Sequence, residues 1–312
     1  MTGALQPVGQ LTADQVGAAV LAAGAAASLH NSQPWWFRCT PDAVELHADT
    51  TKADLATGLD QRELLLACGA ALFNLRTTIR TLGVDPGVRF LPDRNRPNLL
   101  ATVHPVTPRP AGSADRLLGA AVAQLHDDGR PAASASLPVA LPAQLRQAAE
   151  AEQSWLATLP SAGRPVRTTT GASRGPASSS VSSPSFGLPG SSTQDKAGLL
   201  TAVGTFTDGV PARLQAGQAL QRILLTAAAE GSTATPVPHA LATTARRYEL
   251  REHLGGALWP QAVLHVGPAI ALPADVGRRD LTSLLTPPET DGLTVAALGR
   301  LRPGSGMPVR GR

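Results

Sequence analysis

Ser28-Leu29-His30-Asn31-Ser32-Gln33-Pro34-Trp35 is the stretch on which the reading of this chain turns. It breaks an Ala- and Gly-rich run, residues 16–29, that carries no charge, and it leads directly into Trp35-Trp36. Proline pushes the residue before it out of the helical region. A helix is therefore predicted over 11–29, with Thr12 and Asp14 supplying a cap and an acidic first turn. A strand is predicted from Trp35. The turn between them gathers hydroxyl, imidazole and amide side chains with exposed backbone N–H groups. Ser28, His30, Asn31 and Gln33 together suit the carbonyls, ring nitrogens and hydroxyls of a heterocyclic ligand. The small residues 22–27 would let a flat ring lie close to backbone. The same turn also reads as a plain helix end with a proline stop and Trp35 as core filler.

Outward from the turn, strands are predicted at 35–40 and 43–48 around the hairpin pair Pro41-Asp42. A polar loop runs to about 61, and a helix over 62–82 is closed by Gly83. Short strands at 88–91 and 99–103 flank an Arg-rich loop, 93–98. Helices follow near 114–125 and 142–157. Ser, Gly and Pro then dominate 171–193, too polar to pack a core. A strand at 199–206, helices at 211–230 and 244–254 and a strand at 262–266 complete the pattern. The tail repeats Pro, Gly and Arg and is expected to fray.

The two strongest helices match. Cys68-Gly69-Ala70-Ala71-Leu72 ends at Gly83 as Ala216-Gly217-Gln218-Ala219-Leu220 ends at Gly231, with one offset superposing both. The apolar stripe Cys68, Leu72, Leu75, Ile79 falls on Ala216, Leu220, Ile223, Ala227, in steps that put one helix face into a core. That pattern fits duplication, and it fits a chance alignment of two Ala- and Leu-rich helices.

Composition narrows the functional classes. The 312 residues carry a net charge of only +4, with 43% apolar and 3% aromatic residues. The pI near 9.8 comes almost wholly from Arg, since Lys52 and Lys196 are the sole lysines. Those arginines are scattered among acids with few aromatics for base stacking, which argues against nucleic acid as partner. Residues 16–29 are too short to span a bilayer, and no Lys or Arg precedes them. No membrane and a cytoplasmic location are the expectation. Cys39 and Cys68 form neither a zinc framework nor a redox pair. There is no phosphate-binding Gly-x-x-x-x-Gly-Lys loop, no dinucleotide Gly-x-Gly-x-x-Gly after a strand, no His-Glu-x-x-His and no Gly-x-Ser-x-Gly.

The quoted turn resembles the Ser-x-x-Asn-x-Gln-Pro-Trp segment of the nitroreductase superfamily. With its His, it is similar to the Acg-type branch of dormancy-associated nitroreductase-like proteins. Asp60-Gln61-Arg62-Glu63-Leu64 followed by Cys68-Gly69-Ala70-Ala71-Leu72 resembles that branch too. So do Gly217-Gln218-Ala219-Leu220-Gln221-Arg222 with Leu225-Thr226-Ala227, and Trp259-Pro260-Gln261 with Arg278-Arg279. The resemblance covers about 11–105 and 197–285.

The resemblance implies an α+β fold of mainly antiparallel sheet packed with helices, in two fused halves that mimic the family dimer and so allow a monomer. Residues 1–110 would be the first half and 111–170 the diverged start of the second. Then come a Ser/Gly/Pro-rich segment at 171–196, the remainder of the second half at 197–285 and a tail at 286–312. It implies FMN as cofactor, with NAD(P)H as donor and a nitro or quinone-type small molecule as acceptor. Ser28, Asn31, Gln33 and His30 would line the flavin pocket. Thr233 and Thr235, in a loop after the second Gly-ended helix, would approach the ring edge. Arg278 and Arg279 would meet the phosphate, or else form a solvated surface pair. No catalytic side chain is implied, because the cofactor carries the chemistry. One family element is altered: where it places cations and a hydroxyl against the phosphate, this chain has Leu125, Asp127 and Gly129. The alternatives are therefore a non-enzymatic FMN-sequestering protein, or a diverged member that has lost flavin and acts by protein interaction.

Overall fold

The computed structural model describes residues 5–52, 61–126, 137–159, 198–268 and 277–288. It is α+β, with two four-stranded antiparallel sheets packed against helices. The chain divides into two compact units, residues 1–127 with 275–312 and residues 128–274. Among the described residues no helix is long and apolar enough to cross a membrane.

In the first unit α1 (Ala13–Gly24) opens on a capping box, in which Thr12 Oγ1 accepts from Gln15 N and Gln15 Oε1 accepts from Thr12 N. The strands β1 (Trp35–Cys39), β2 (Val44–Ala48), β3 (Val84–Phe90) and β4 (Leu99–Pro108) form a sheet in the order β1-β2-β4-β3. Trp35, Phe37, Leu46, Val44, Ala101 and Val103 share one face by register. All six are buried, and full burial of side chains the size of Phe37 or Leu46 is worth roughly 1.5–3 kcal/mol each. The helix α2 (Gln61–Thr81) packs with this sheet and with α1 and α3 (Ser113–His126). Its predicted stripe of Cys68, Leu72, Leu75 and Ile79 is wholly buried. Gly83, at φ +81, ends it in the left-handed conformation that favours glycine.

The opposite sheet face is polar. Glu45 and His47 on β2 lie beside Trp36 and Arg38 on β1. Glu45 takes Arg38 Nε at 2.9 Å and Arg96 at 2.7 Å, the latter from the loop between β3 and β4. The His47 ring stacks on Trp36 at 4.0 Å, and its Nε2 lies 2.9 Å from Glu45. Burial holds His47 below its ordinary range, so at neutral pH it donates to Glu45 as a neutral ring.

The second unit repeats the connectivity. After α4 (Leu141–Glu150) come β5 (Trp155–Leu159), β6 (Leu199–Thr205), α5 (Val210–Ala229), β7 (Ser232–Pro236), α6 (Thr244–His253) and β8 (Trp259–Pro268). The sheet order is β5-β6-β8-β7, element for element that of the first unit. Gly231, at φ +65, ends α5 as Gly83 ends α2. Where the first unit has its Arg96 loop, the second inserts a short turn at Pro238–Leu241 and α6. Val237, Leu241 and Leu250 of that insertion pack on Leu159, Ala202 and Val263. Asp208, after β6, collects Arg213, Arg247 and Gln261.

Two expectations differ from what is observed. The helix predicted over 142–157 stops at Glu150, and Trp155–Leu159 is a strand. Gln153, at φ +54, turns the chain between them. The loop predicted to carry Thr233 and Thr235 is strand β7, because their backbones pair with Gly267 and His265 of β8. The helix α3, and α7 (Leu281–Leu285) near the C-terminus, both fall in the first compact unit. The Ser-rich segment at 171–196, Asp127, Gly129 and the side chain of Leu125 lie outside the described residues.

Candidate functional site

Between α1 and β1 the backbone turns by local means and at a cost. Leu29–Asn31 forms one tight helical turn. His30, Asn31 and Gln33 have φ of 51, 54 and 43. Three non-glycine residues in the left-handed region within four positions store roughly 1–3 kcal/mol each, and such clusters mark functional sites. Hydrogen bonds hold the turn in place. Ser28 Oγ accepts from Gln33 N at 3.1 Å, Ser32 N donates to Leu29 O at 3.0 Å, and Trp35 N donates to Gln33 O at 2.9 Å. From α2, Cys68 Sγ donates to Pro34 O at 3.3 Å. Burial pushes the Cys68 thiol far up, so it stays protonated in this role.

A distant segment closes over the turn. Gly277 O accepts from Asn31 Nδ2 at 3.0 Å and from Gln33 Nε2 at 2.9 Å. Gln33 Nε2 also donates to Asn31 Oδ1 at 3.1 Å. Arg279 N donates to Gln33 Oε1 at 3.3 Å, and its guanidinium reaches Trp35 O at 2.7 Å. Arg278 donates to Ala26 O at 3.3 Å and is exposed. Beyond them α7, capped by Asp280, packs on α1. The close approach needs glycine: a Cβ on Gly24 would stand 2.5 Å from Leu284 Cδ1.

Six of the eight residues singled out in the sequence thus meet in one place: Ser28, His30, Asn31, Gln33, Arg278 and Arg279. Thr233 and Thr235 belong to the other unit, on the edge strand β7, where Thr233 is half-buried and Thr235 exposed. Sequence reasoning missed Ser32 and the polar edge of Trp35. Ser32 Oγ and Trp35 Nε1 are buried and find no hydrogen-bond partner among the described residues. Buried polar atoms are nearly always paired, so these two, on a strained turn rich in amides, fit a site that takes a polar heterocycle. The signal for Ser32 was its place inside the motif; for Trp35 there was none, because its indole N–H is orphaned only by the packing of the ring. No cluster of metal-ligating side chains occurs among the described residues.

No family model matches the chain. A Mycobacterium tuberculosis (strain H37Rv) protein named "Putative NAD(P)H nitroreductase Rv3131" is 30% identical over 310 residues, covering 85% of this chain and 89% of that relative. A second from the same strain, "Putative NAD(P)H nitroreductase acg", is 37% identical over 97 residues, 31% of this chain and 29% of its own length. A third, "Uncharacterized protein Rv3127", is 32% identical over 119 residues, 36% and 34% of the respective chains.

Proposed function

This chain belongs to the nitroreductase superfamily, with the Acg-type mycobacterial proteins among its relatives, and from that premise we propose that it is an FMN-dependent oxidoreductase passing electrons from NAD(P)H to a small nitro or quinone-type acceptor. The observation that carries the reading is the strained turn at 28–35, where an amide pair, two orphaned donors and an exposed arginine converge. Bound flavin would supply the redox chemistry, taking hydride from nicotinamide and giving electrons to the acceptor. The protein's own part is binding and orientation. Asn31 keeps one amide N–H beyond its bond to Gly277 O, and Ser32 Oγ and Trp35 Nε1 supply further hydrogen-bonding groups. Ser28 buttresses Gln33 rather than facing a ligand with its acceptor lone pair. The shared strand order of the two units supports a duplicated chain.

The test begins with colour. Purified protein absorbing in the flavin bands, and bleached by NADPH without oxygen, is the expected result. Asn31→Ala removes one hydrogen bond of about 1 kcal/mol, so flavin should be held roughly fivefold more weakly. Unchanged flavin affinity would remove Asn31 from the site. Two observations favour the other readings, FMN sequestration without turnover or loss of flavin altogether. Both N–H groups of Gln33 are already engaged within the protein, and Leu125, Asp127 and Gly129 replace the family's phosphate-binding element. A yellow protein that NADPH leaves yellow would decide for sequestration. A protein that stays colourless in excess FMN would leave only the interaction reading.

A further inference from the structure

Arg278 and Arg279 are adjacent in sequence and unlike in structure. Arg278 is exposed. Arg279 is half-buried, and both terminal nitrogens of its guanidinium are committed to main-chain carbonyls. NH1 donates to Trp35 O at 2.7 Å and to Gln33 O at 3.4 Å, and NH2 donates to Ser283 O. Its backbone N–H holds Gln33 Oε1 at 3.3 Å. Main chain and side chain of one residue therefore grip both the carbonyl and the amide of Gln33, whose φ of 43 needs outside support. The edge with which a guanidinium would fork onto a phosphate is spent on these carbonyls.

We propose that Arg279 is a positioning residue that fastens Gln33–Trp35 in the left-handed turn, while Arg278 alone of the pair supplies a cation to the ligand's phosphate. This rests on the flavin reading above and divides the pair's labour within it. A planar fork can bridge Trp35 O and Ser283 O at once, and a lysine ammonium on a single stem replaces it poorly. At Arg278 a lysine should suffice, because a phosphate also accepts a point charge.

Comparing FMN with riboflavin, which lacks the phosphate, separates the two roles. Dissociation constants for both are measured by fluorescence quenching on wild type, Arg278→Gln, Arg278→Lys, Arg279→Gln and Arg279→Lys. Arg278→Gln should weaken FMN by about tenfold, about 1.4 kcal/mol, and leave riboflavin unchanged, with Arg278→Lys restoring FMN. Arg279→Gln should weaken both ligands by the same factor, keeping their ratio, and Arg279→Lys should not restore them. Amide hydrogen exchange at Gln33, Trp35 and Trp36 should quicken in the Arg279 variants alone. Loss of FMN with intact riboflavin binding in Arg279→Gln would overturn the proposal, as would unchanged exchange at Gln33, Trp35 and Trp36. If Arg279→Gln does not fold, Arg279→Lys carries the same two comparisons. If wild type binds neither flavin, the flavin reading and the Arg278 assignment fall together, and hydrogen exchange still decides whether Arg279 fastens the turn.

Discussion

Replacing Glu45 by Gln keeps the shape of a buried side chain and removes its charge. Glu45 is 6% exposed and is ringed by Arg38, Arg96 and His47. Burial pushes its carboxyl up, but hydrogen bonds from Arg96 and His47 and the charge of Arg38 outweigh that, bringing it from 4.5 to about 2. A carboxyl depressed in the folded state stabilises the fold fully above its unfolded value. That benefit disappears as pH falls from about 5 toward 2. A shift of this size corresponds to about 3 kcal/mol at 1.36 kcal/mol per unit. The side chains of Arg38 and Arg96 are 53% and 36% exposed, so solvent screens them, and about 1–2 kcal/mol is the expected net effect. Urea unfolding of wild type and Glu45→Gln across this range measures it. The variant should be less stable by that amount at neutral pH, and the two should converge as pH falls below about 2. A gap that stays constant from neutral pH down to about 3 would refute the assignment of the charge to this network.

Other outcomes follow from packing and burial. Gly24→Val sets a side chain against Leu284, which overpacks the α1–α7 contact by about 1–3 kcal/mol; trypsin should then cut faster after Arg278 and Arg279, and unchanged cleavage would mean α7 does not depend on Gly24. Asp208→Asn in the second unit leaves Arg213 and Arg247 without their carboxylate. The expected loss is about 1–3 kcal/mol in thermal or denaturant unfolding, and no loss would place that cluster outside the stabilising contacts. Burial pushes Cys39 up to about 11 and Cys68 higher still, so a thiol reagent at pH ~8 should modify folded protein slowly at Cys39 and not at Cys68. Rapid modification of Cys68 would show that α2 opens.

Much of the first unit was legible because its signals are local. Pro34 and the paired Trp35-Trp36 mark a strand start, Gly83 marks a helix end, and the stripe from Cys68 to Ile79 has one period. The helix predicted through 157 failed for want of such a signal. No proline or glycine stands between Glu150 and Trp155, and the break is made by Gln153 in a left-handed conformation that its identity does not announce. Ser232–Pro236 read as a loop because it is short and polar, although Thr233 and Thr235 are β-branched and the alternation is visible once β8 is beside it. The site was legible as a set of residue types but not as a set of bonds. Sequence adjacency made Arg278 and Arg279 look equivalent, and only the carbonyls of Gln33 and Trp35 tell them apart.

The bond from Asn31 to Gly277 joins residues 246 apart in the chain. During synthesis, the turn at 28–35 leaves the ribosome long before its fastening does, and the whole second unit is made in between. The nascent first unit must therefore hold its three left-handed residues by local hydrogen bonds alone until residues 277–279 arrive. Closing so long a loop is entropically modest but kinetically late. Ligand competence should accordingly be among the last properties this polypeptide acquires.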